Sequence, residues 1–123
     1  MRHTPLTRNN EFSRVYARGK AYVHLHMVLY VCKNRARRTR VGLTATKKVG
    51  NAVTRNRARR VIRAAYLSCR EEISFPKGYD LVFVAREQTP LIKATQLEPV
   101  MKKQILFLLA QKGPGKKQKK GRN

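Results

Sequence analysis

Residues 40–63 read RVGLTATKKVGNAVTRNRARRVIR, and they contain a predicted strand followed by a predicted helix. Over residues 40–49 apolar and polar side chains alternate, which is the period of a strand with one buried face. Gly50-Asn51 interrupts this alternation, and the helical pattern runs from about 54 to 71. These two elements predict a sheet with a helix packed against it.

Two further helices are predicted on either side, a short one over about 9–18 and a final one over about 96–111. Asn9 or Asn10 can cap the start of the first helix, and Gly19 can end it. Thr95 and Glu98 fit a capping box at the start of the second, although Pro99 favours a later start of the regular helix.

Two further strands complete the sheet. Residues 79–86 are apolar enough for a strand buried on both sides. Residues 21–32 alternate as one strand, which places Ala21, Val23, Leu25, Met27, Leu29 and Val31 on one face, and Tyr22, His24, His26, Val28, Tyr30 and Cys32 on the other. The predicted fold class is α+β, a small two-layer sandwich of order α-β-β-(β)-α-β-α.

The chain is short enough for one domain. Its 123 residues predict one α+β domain over 1–112, followed by a disordered basic tail over 113–123 that reads GPGKKQKKGRN. No stretch approaches the roughly 20 apolar residues of a membrane span, and no signal peptide is visible. We therefore expect a cytoplasmic protein.

The charge balance points to a polyanionic partner. The chain has 29 Lys and Arg against 6 Asp and Glu, a net charge of +23. Residues 12–70 contain no acidic residue, although they hold most of the predicted elements. A solvated surface normally mixes both signs, so this field favours nucleic acid as the partner.

Two different binding surfaces are predicted. If the apolar faces of the strands meet the core, the opposite face presents Tyr30, Thr44, Thr46 and Lys48, a mixture that suits single-stranded nucleic acid. On the central helix, Arg55, Arg59 and Arg63 recur every four residues and share one side. The opposite, apolar side is predicted to be buried and consists of Ala58, Val61, Ile62, Ala65 and Cys69. Asn56 lies on this basic side, with Arg57 and Arg60 beside it, and guanidinium groups bind phosphate bidentately.

No catalytic set is visible in the chain. Asp80 is the only aspartate, and metal-assisted phosphodiester cleavage needs several carboxylates. The His24-x-His26 pair lacks further ligands, and Cys32 and Cys69 match no zinc spacing, which favours free thiols. Any associated active site is therefore expected in another molecule, and no metal is assigned to the protein.

The segment Lys47–Arg63, KKVGNAVTRNRARRVIR, resembles the Arg-Asn-Arg motif of the protein subunit of bacterial ribonuclease P. The resemblance extends over about residues 6–110, through NEF, VY and Gly19 in the first helix, and through MVLY, RVGL and residues 79–86 in the strands. It implies a subunit of an endoribonuclease whose catalytic RNA removes the 5′ leader of precursor tRNA with Mg²⁺. It also implies an uncommon left-handed crossover through the central helix, where general rules favour a right-handed one.

The resemblance implies a role for each matching residue. Residues of the cleft between the first helix and the sheet would bind the leader: Phe12, Tyr16, Tyr30, Thr44, Thr46 and Lys48. Residues around the motif would face the catalytic RNA: Lys47, Arg55, Asn56, Arg57, Arg59, Arg60 and Arg63. Mg²⁺ would be held mainly by the RNA, and the protein would strengthen its binding. No obligate protein partner and no membrane is implied.

Other interpretations remain open. Core packing is the alternative role for Phe12. A structural ribosomal protein would share the size, charge and basic tail, but it would not need an aromatic strand face. A stand-alone nuclease would cleave without added RNA and would depend on His24 or His26.

Overall fold

The computed structural model describes residues 3–112 and confirms an α+β fold. The eight main elements are β1 (Thr4–Pro5), α1 (Asn9–Arg18), β2 (Lys20–Val23), β3 (Met27–Lys33), β4 (Arg40–Thr44), α2 (Ala52–Glu72), β5 (Tyr79–Ala85) and α3 (Ala94–Lys112). Single 3₁₀ turns follow β4 at Lys47–Val49 and β5 at Thr89–Leu91. The predicted tail, 113–123, lies outside the described residues.

The strands form one sheet of order β1-β4-β5-β3-β2. β5 is central, antiparallel to β3 and parallel to β4, and α2 connects the two parallel neighbours. Strand β5 is buried on both faces, which confirms the prediction of a strand buried on both sides in residues 79–86. The left-handed sense of the crossover stays a prediction. No helix within the described range is long and apolar enough to cross a membrane.

Helices pack on both faces of the sheet. α2 and α3 cover one face, where Met27, Leu29, Leu81 and Phe83 are fully buried with the apolar sides of the two helices. α1 covers part of the other face through Val15, which packs with Val82. The apolar side of α2 therefore faces the sheet, while Arg59 and Arg63 lie at the β1–β4 edge, where they line a hollow with Leu6 and Gly42.

The predicted single strand over 21–32 is wrong, because residues 24–26 form a turn between β2 and β3. The His24 N–H donates to the Met27 carbonyl at 3.1 Å, and the imidazole Nδ1 of His24 accepts from the His26 N–H at 3.1 Å. In the resulting hairpin Tyr22 lies opposite Leu29. Directly opposite residues share a face, so Tyr22 lies on the α2–α3 side and not beside Tyr30, as the alternation had suggested.

Strand β4 is shorter than predicted. Regular pairing ends at Thr44, and the chain turns at Lys47–Val49 before α2 begins at Ala52. The helix starts earlier than expected because the Asn51 side chain accepts a hydrogen bond from the Thr54 N–H at 2.9 Å.

The other two helices are capped by residues that the sequence did not single out. Glu11 of α1 accepts hydrogen bonds from the backbone N–H groups of Thr7 and Arg8, at 3.1 and 3.0 Å, so Asn9 and Asn10 are not the caps. The side-chain oxygen Oε1 of Gln96 accepts from the Lys93 backbone N–H at 2.9 Å, which replaces the expected Thr95–Glu98 box. Gly19 ends α1 as predicted.

Strand β1 has no sequence signal, since it comprises two residues and one is proline. It is parallel to β4, and the Leu6 N–H donates to the Val41 carbonyl at 2.9 Å.

One buried carboxylate connects several of these elements. Asp80 is fully buried in β5, and Arg40 of β4 binds it through two hydrogen bonds of 2.8 and 2.9 Å. Arg14 of α1 donates at 2.6 Å, and the Asn34 side chain donates at 2.7 Å. Burial alone would raise the pKa of Asp80, but the hydrogen bonds from Arg40, Asn34 and Arg14 bring it below its usual value of 3.8.

We predict that Asp80→Asn lowers the free energy of unfolding by about 3 kcal/mol, because it leaves two arginines without their buried counter-charge. A depressed carboxyl pKa stabilises the fold above the unfolded pKa, and that stability is lost as the pH falls through the folded value. The wild type should therefore lose stability below pH 3.8 by a component that the variant lacks.

Urea unfolding between neutral and acidic pH measures both effects. Glu87→Gln is the matched control, since Glu87 is exposed and has no hydrogen bond or ion pair with the described residues. Equal midpoints for the two variants would contradict the structural role of Asp80.

Candidate nucleic-acid interface

An aromatic cleft forms where α1 crosses the sheet. The rings of Tyr16 and Tyr30 meet edge to face with centroids 4.9 Å apart, and the Phe12 ring lies 6.5 Å from that of Tyr16. Tyr16 is 40% exposed. The structure thus brings together the three aromatic residues that the sequence proposed for one surface.

Phe12 has a packing role as well. It is half-buried against Leu6, Val15 and Val82. Its ring lies directly over Gly42 of β4, where an added Cβ would come within 2.8 Å of Phe12 Cε1 and Cζ. Phe12 therefore serves both as part of the α1 core and as one wall of the cleft.

The polar residues predicted to share a strand face with Tyr30 fall into two groups. Thr44 lies beside Val84 in the β4–β5 register, on the same face as Tyr30 and Val82. Thr46, Lys47 and Lys48 follow the strand and line a hollow of about 710 Å³ with Val84 and Arg86. Val84 thus borders both the sheet face on which α1 packs and this hollow. The aromatic cleft therefore continues into the hollow, whose basic residues form its cationic end. Lys47 lies here beside Lys48, and Arg86 is a cation that the sequence analysis missed.

Tyr16 of the cleft stays neutral over a wide pH range. Burial raises the pKa of Tyr16, and the neighbouring Tyr30 raises it further. A neutral phenol can stack on a base and also donate a hydrogen bond to it.

The arginines of α2 have two different roles. The Arg55 guanidinium donates to the Gly50 carbonyl, and Arg59 donates to the Asn56 side chain at 2.9 Å and to the Ala45 carbonyl at 3.4 Å. These contacts hold the start of the helix against the end of β4. The guanidinium groups of Arg57, Arg60 and Arg63 are exposed and bind no other described residue.

The opposite side of α2 is apolar, as predicted. Ala58, Ile62, Ala65 and Cys69 are fully buried, while Val61 is partly buried. Burial raises the pKa of the Cys69 thiol to about 11, so this thiol stays protonated and is a weak nucleophile. Cys32 and Cys69 are both free.

The histidine pair does not form part of a metal cluster. His24 and His26 lie in the β2–β3 turn with ring centroids 5.2 Å apart, and His24 Nδ1 already accepts the backbone hydrogen bond of that turn. Across the part of the chain that the structure describes, no three His, Cys, Asp or Glu side chains are grouped to hold a metal ion.

Asp80 is the main positioning residue that the sequence analysis passed over. It does not face a ligand, but through Arg14 and Arg40 it fixes α1 over the sheet. A single aspartate inside an apolar strand of a chain with 29 cations was the available signal, because a buried charge requires partners.

Comparisons with known proteins point to one family. The Ribonuclease P family model matches residues 1–108. A Ribonuclease P protein component of Clostridium botulinum is 45% identical over 89 residues, which are 72% of this chain and 79% of that protein. The corresponding component of Pelotomaculum thermopropionicum is 41% identical over 93 residues, 76% of this chain and 81% of that protein.

Solved structures agree in fold. The RNase P protein of Staphylococcus aureus superposes with a TM-score of 0.69 and 26% identity, over 88% of this chain and 96% of that one. The Thermotoga maritima RNase P protein superposes with a TM-score of 0.66 and 22% identity, over 93% and 100% of the two chains.

We predict that Gly42→Ala destabilises the fold by about 1–3 kcal/mol, because the new methyl group pushes the Phe12 ring away from the sheet. The φ of Gly42 is not positive, so the clash rather than backbone strain is the cause. In a Phe12→Ala background the same substitution should have little effect.

Urea unfolding of the two single variants and the double variant gives the coupling energy between the positions. An equal loss in both backgrounds would show that Phe12 does not pack on Gly42 as the structure has it.

Proposed function

Because this chain belongs to the bacterial ribonuclease P protein family, we propose that it binds the catalytic RNA of ribonuclease P and the 5′ leader of precursor tRNA. Proteins of this family are components of a ribonuclease complex that acts in tRNA processing. In our proposal the hydrolysis that creates the mature 5′ end takes place in the RNA subunit, with Mg²⁺, in the cytoplasm. The protein contributes binding and no catalytic residue.

The separation of two surfaces on opposite faces of the sheet is the observation that supports this proposal. The aromatic cleft lies on the α1 face, while α2, which carries the exposed arginines, packs on the other face. A protein that contacts two RNAs at once needs two such surfaces, because one surface would make the RNAs compete.

The cleft suits a few unpaired leader nucleotides. Tyr16 and Tyr30 offer ring faces and edges to bases, and such stacking tolerates any sequence. Lys47, Lys48 and Arg86 lie at the cationic end of the cleft, where they can follow the phosphates. Thr44 and Thr46 supply hydroxyl groups between the rings and the cations.

The α2 surface suits a folded RNA. Arg57, Arg60 and Arg63 have no protein partner among the described residues, so their guanidinium forks are available for phosphate. Arg55, Asn56 and Arg59 hold the helix start in place and can share in the contact through their remaining donors.

Within residues 3–112, the protein offers Mg²⁺ no ligand set of its own. Its buried carboxylate, Asp80, binds two arginines and an asparagine, and Glu11 caps α1. We therefore assign the ion to the RNA. The protein's cations reduce the repulsion between the catalytic RNA and its substrate, so that the complex forms at a lower Mg²⁺ concentration.

Reconstitution with the cognate ribonuclease P RNA tests the proposal. At low Mg²⁺ we expect precursor tRNA to be cleaved only when RNA and protein are both present, and less efficiently when the leader is shortened. Protein alone is the control. Cleavage by the protein alone would indicate a stand-alone nuclease, and no effect of the protein would favour a structural ribosomal protein.

Single substitutions should separate the two surfaces. Arg57→Ala should weaken binding to the catalytic RNA and reduce the slope of log K against log salt by about 1, because one phosphate contact is lost. Tyr30→Ala should weaken leader-dependent binding of precursor tRNA by about 5- to 100-fold, from loss of stacking.

Matched controls are Lys93→Ala, an exposed cation elsewhere, and Tyr30→Phe, which keeps the ring. The readouts are direct binding to the catalytic RNA, and holoenzyme binding to precursor tRNA with and without its leader. Equal loss of both activities in Arg57→Ala and Tyr30→Ala would contradict the two-surface arrangement.

A further inference from the structure

The turn between β3 and β4 is held in one conformation by Asn34. The side-chain amide of Asn34 donates to the Arg38 carbonyl at 3.1 Å and to Asp80 at 2.7 Å, and its oxygen accepts from the Ala36 N–H at 3.0 Å. Backbone hydrogen bonds between this turn and Gly78 close it from the other side. The turn is therefore tied to the buried carboxylate of β5.

Arg37 lies in this turn with a left-handed backbone, at φ 60°. Among the residues that the structure describes, it is the only non-glycine residue with a positive φ. This conformation costs an arginine about 1–2 kcal/mol, and glycine or asparagine would adopt it more readily. Strain of this kind persists only where the surrounding structure fixes the conformation, and it clusters at ligand-binding sites.

The cationic side chains of the turn have no partner among the described residues. Arg35, Arg37 and Arg38 are exposed, and none of their guanidinium groups has a hydrogen bond or ion pair there. By contrast, Arg14 and Arg40 both bind Asp80. Three like charges on a pinned turn repel one another, and an anionic ligand would relieve this repulsion.

The turn lies at the opposite end of the sheet from the cationic end of the cleft. Val28 of β3 and Thr44 of β4 flank Val84 at the cationic end of the cleft. Asn34 of the turn lies six residues after Val28, which corresponds to about 20 Å of extended chain. A hollow of about 480 Å³ at the turn end is lined by Arg18, Lys20 and Lys33, among others. Lys33 directly precedes the turn, so the arginines of the turn lie near further cations and apart from the cationic end of the cleft.

We propose that Arg35, Arg37 and Arg38 form a third RNA contact, which binds backbone phosphates apart from the leader cleft and the α2 arginines. This inference rests on the proposed function, since it takes the RNAs of that complex as the source of the phosphates. Guanidinium forks on a fixed turn bind phosphate oxygens bidentately and read no base. The phosphates come from the catalytic RNA or from the body of the tRNA, and the chemistry is the same for both.

The test compares two double substitutions of equal charge loss. Arg35→Gln/Arg38→Gln removes two cations from the turn, whereas Lys93→Gln/Lys103→Gln removes two exposed cations of the α3 region. Binding is measured as a function of salt in two arms: the protein with the catalytic RNA, and the holoenzyme with tRNA that lacks a leader. We expect the turn variant to reduce the slope of log K against log salt by about 2 in one arm, and the control to leave both slopes unchanged.

Arg37→Asn separates charge from conformation. Asparagine accepts the left-handed backbone, so this variant should unfold at the same or a higher urea concentration than the wild type and yet lose affinity in the same arm. Arg37→Lys, which keeps the charge but not the guanidinium fork, should lose less affinity than Arg37→Asn and keep the wild-type slope of log K against log salt.

Each outcome decides the matter. A loss in the first arm assigns the turn to the catalytic RNA, and a loss in the second assigns it to the tRNA. If the turn variants bind both RNAs like the control while the wild type supports cleavage, the third contact is refuted and the proposed function stands. If the wild type binds neither RNA, both fall together.

Discussion

The carboxylate of Asp80 lies fully buried in the central strand, and Arg14, Arg40 and Asn34 bind it from three other parts of the chain. A protein with a charge of +23 has few acidic side chains that can pair with its own cations. The carboxylate of Asp80 lies where four segments of the chain meet. Arg40 also contacts Glu11, whose carboxylate caps α1. The first helix, β4 and the β3–β4 turn therefore depend on one charge.

The geometry of the cleft follows from this arrangement. Arg14 holds the middle of α1 over β5, and Gly19 lets the end of the helix approach β3, where any Cβ would lie 2.3 Å from the Val31 carbonyl oxygen. Tyr16 consequently lies over Tyr30, and Phe12 lies over Gly42. The helix covers only part of the sheet face, and the uncovered part leads to Lys47 and Lys48.

Much of this fold could be predicted from local patterns. The period of α2 gave the correct buried side, and the apolar run of β5 gave a central strand, because burial on one or both faces leaves a direct trace in the sequence. The alternation over 21–32 predicted a single strand where the structure has a hairpin. The turn closed by His24 does not interrupt the alternation of apolar and polar residues along the sequence, so the pattern did not reveal it. Tyr30, Thr44, Thr46 and Lys48 were predicted to share one strand face, whereas Thr46 follows the end of β4 and Lys48 lies within the 3₁₀ turn.

The sequence by itself determined the α+β class, the polyanionic partner and the two basic regions, because periodicity and net charge are properties of the chain as written. Only the tertiary structure decided which cations are free. Arg40 and Arg14 neutralise a buried aspartate far away in sequence, while Arg37 and Arg57 meet no counter-charge in the described residues. Pairing over such separations depends on how strands and helices meet in space, and no local pattern records it.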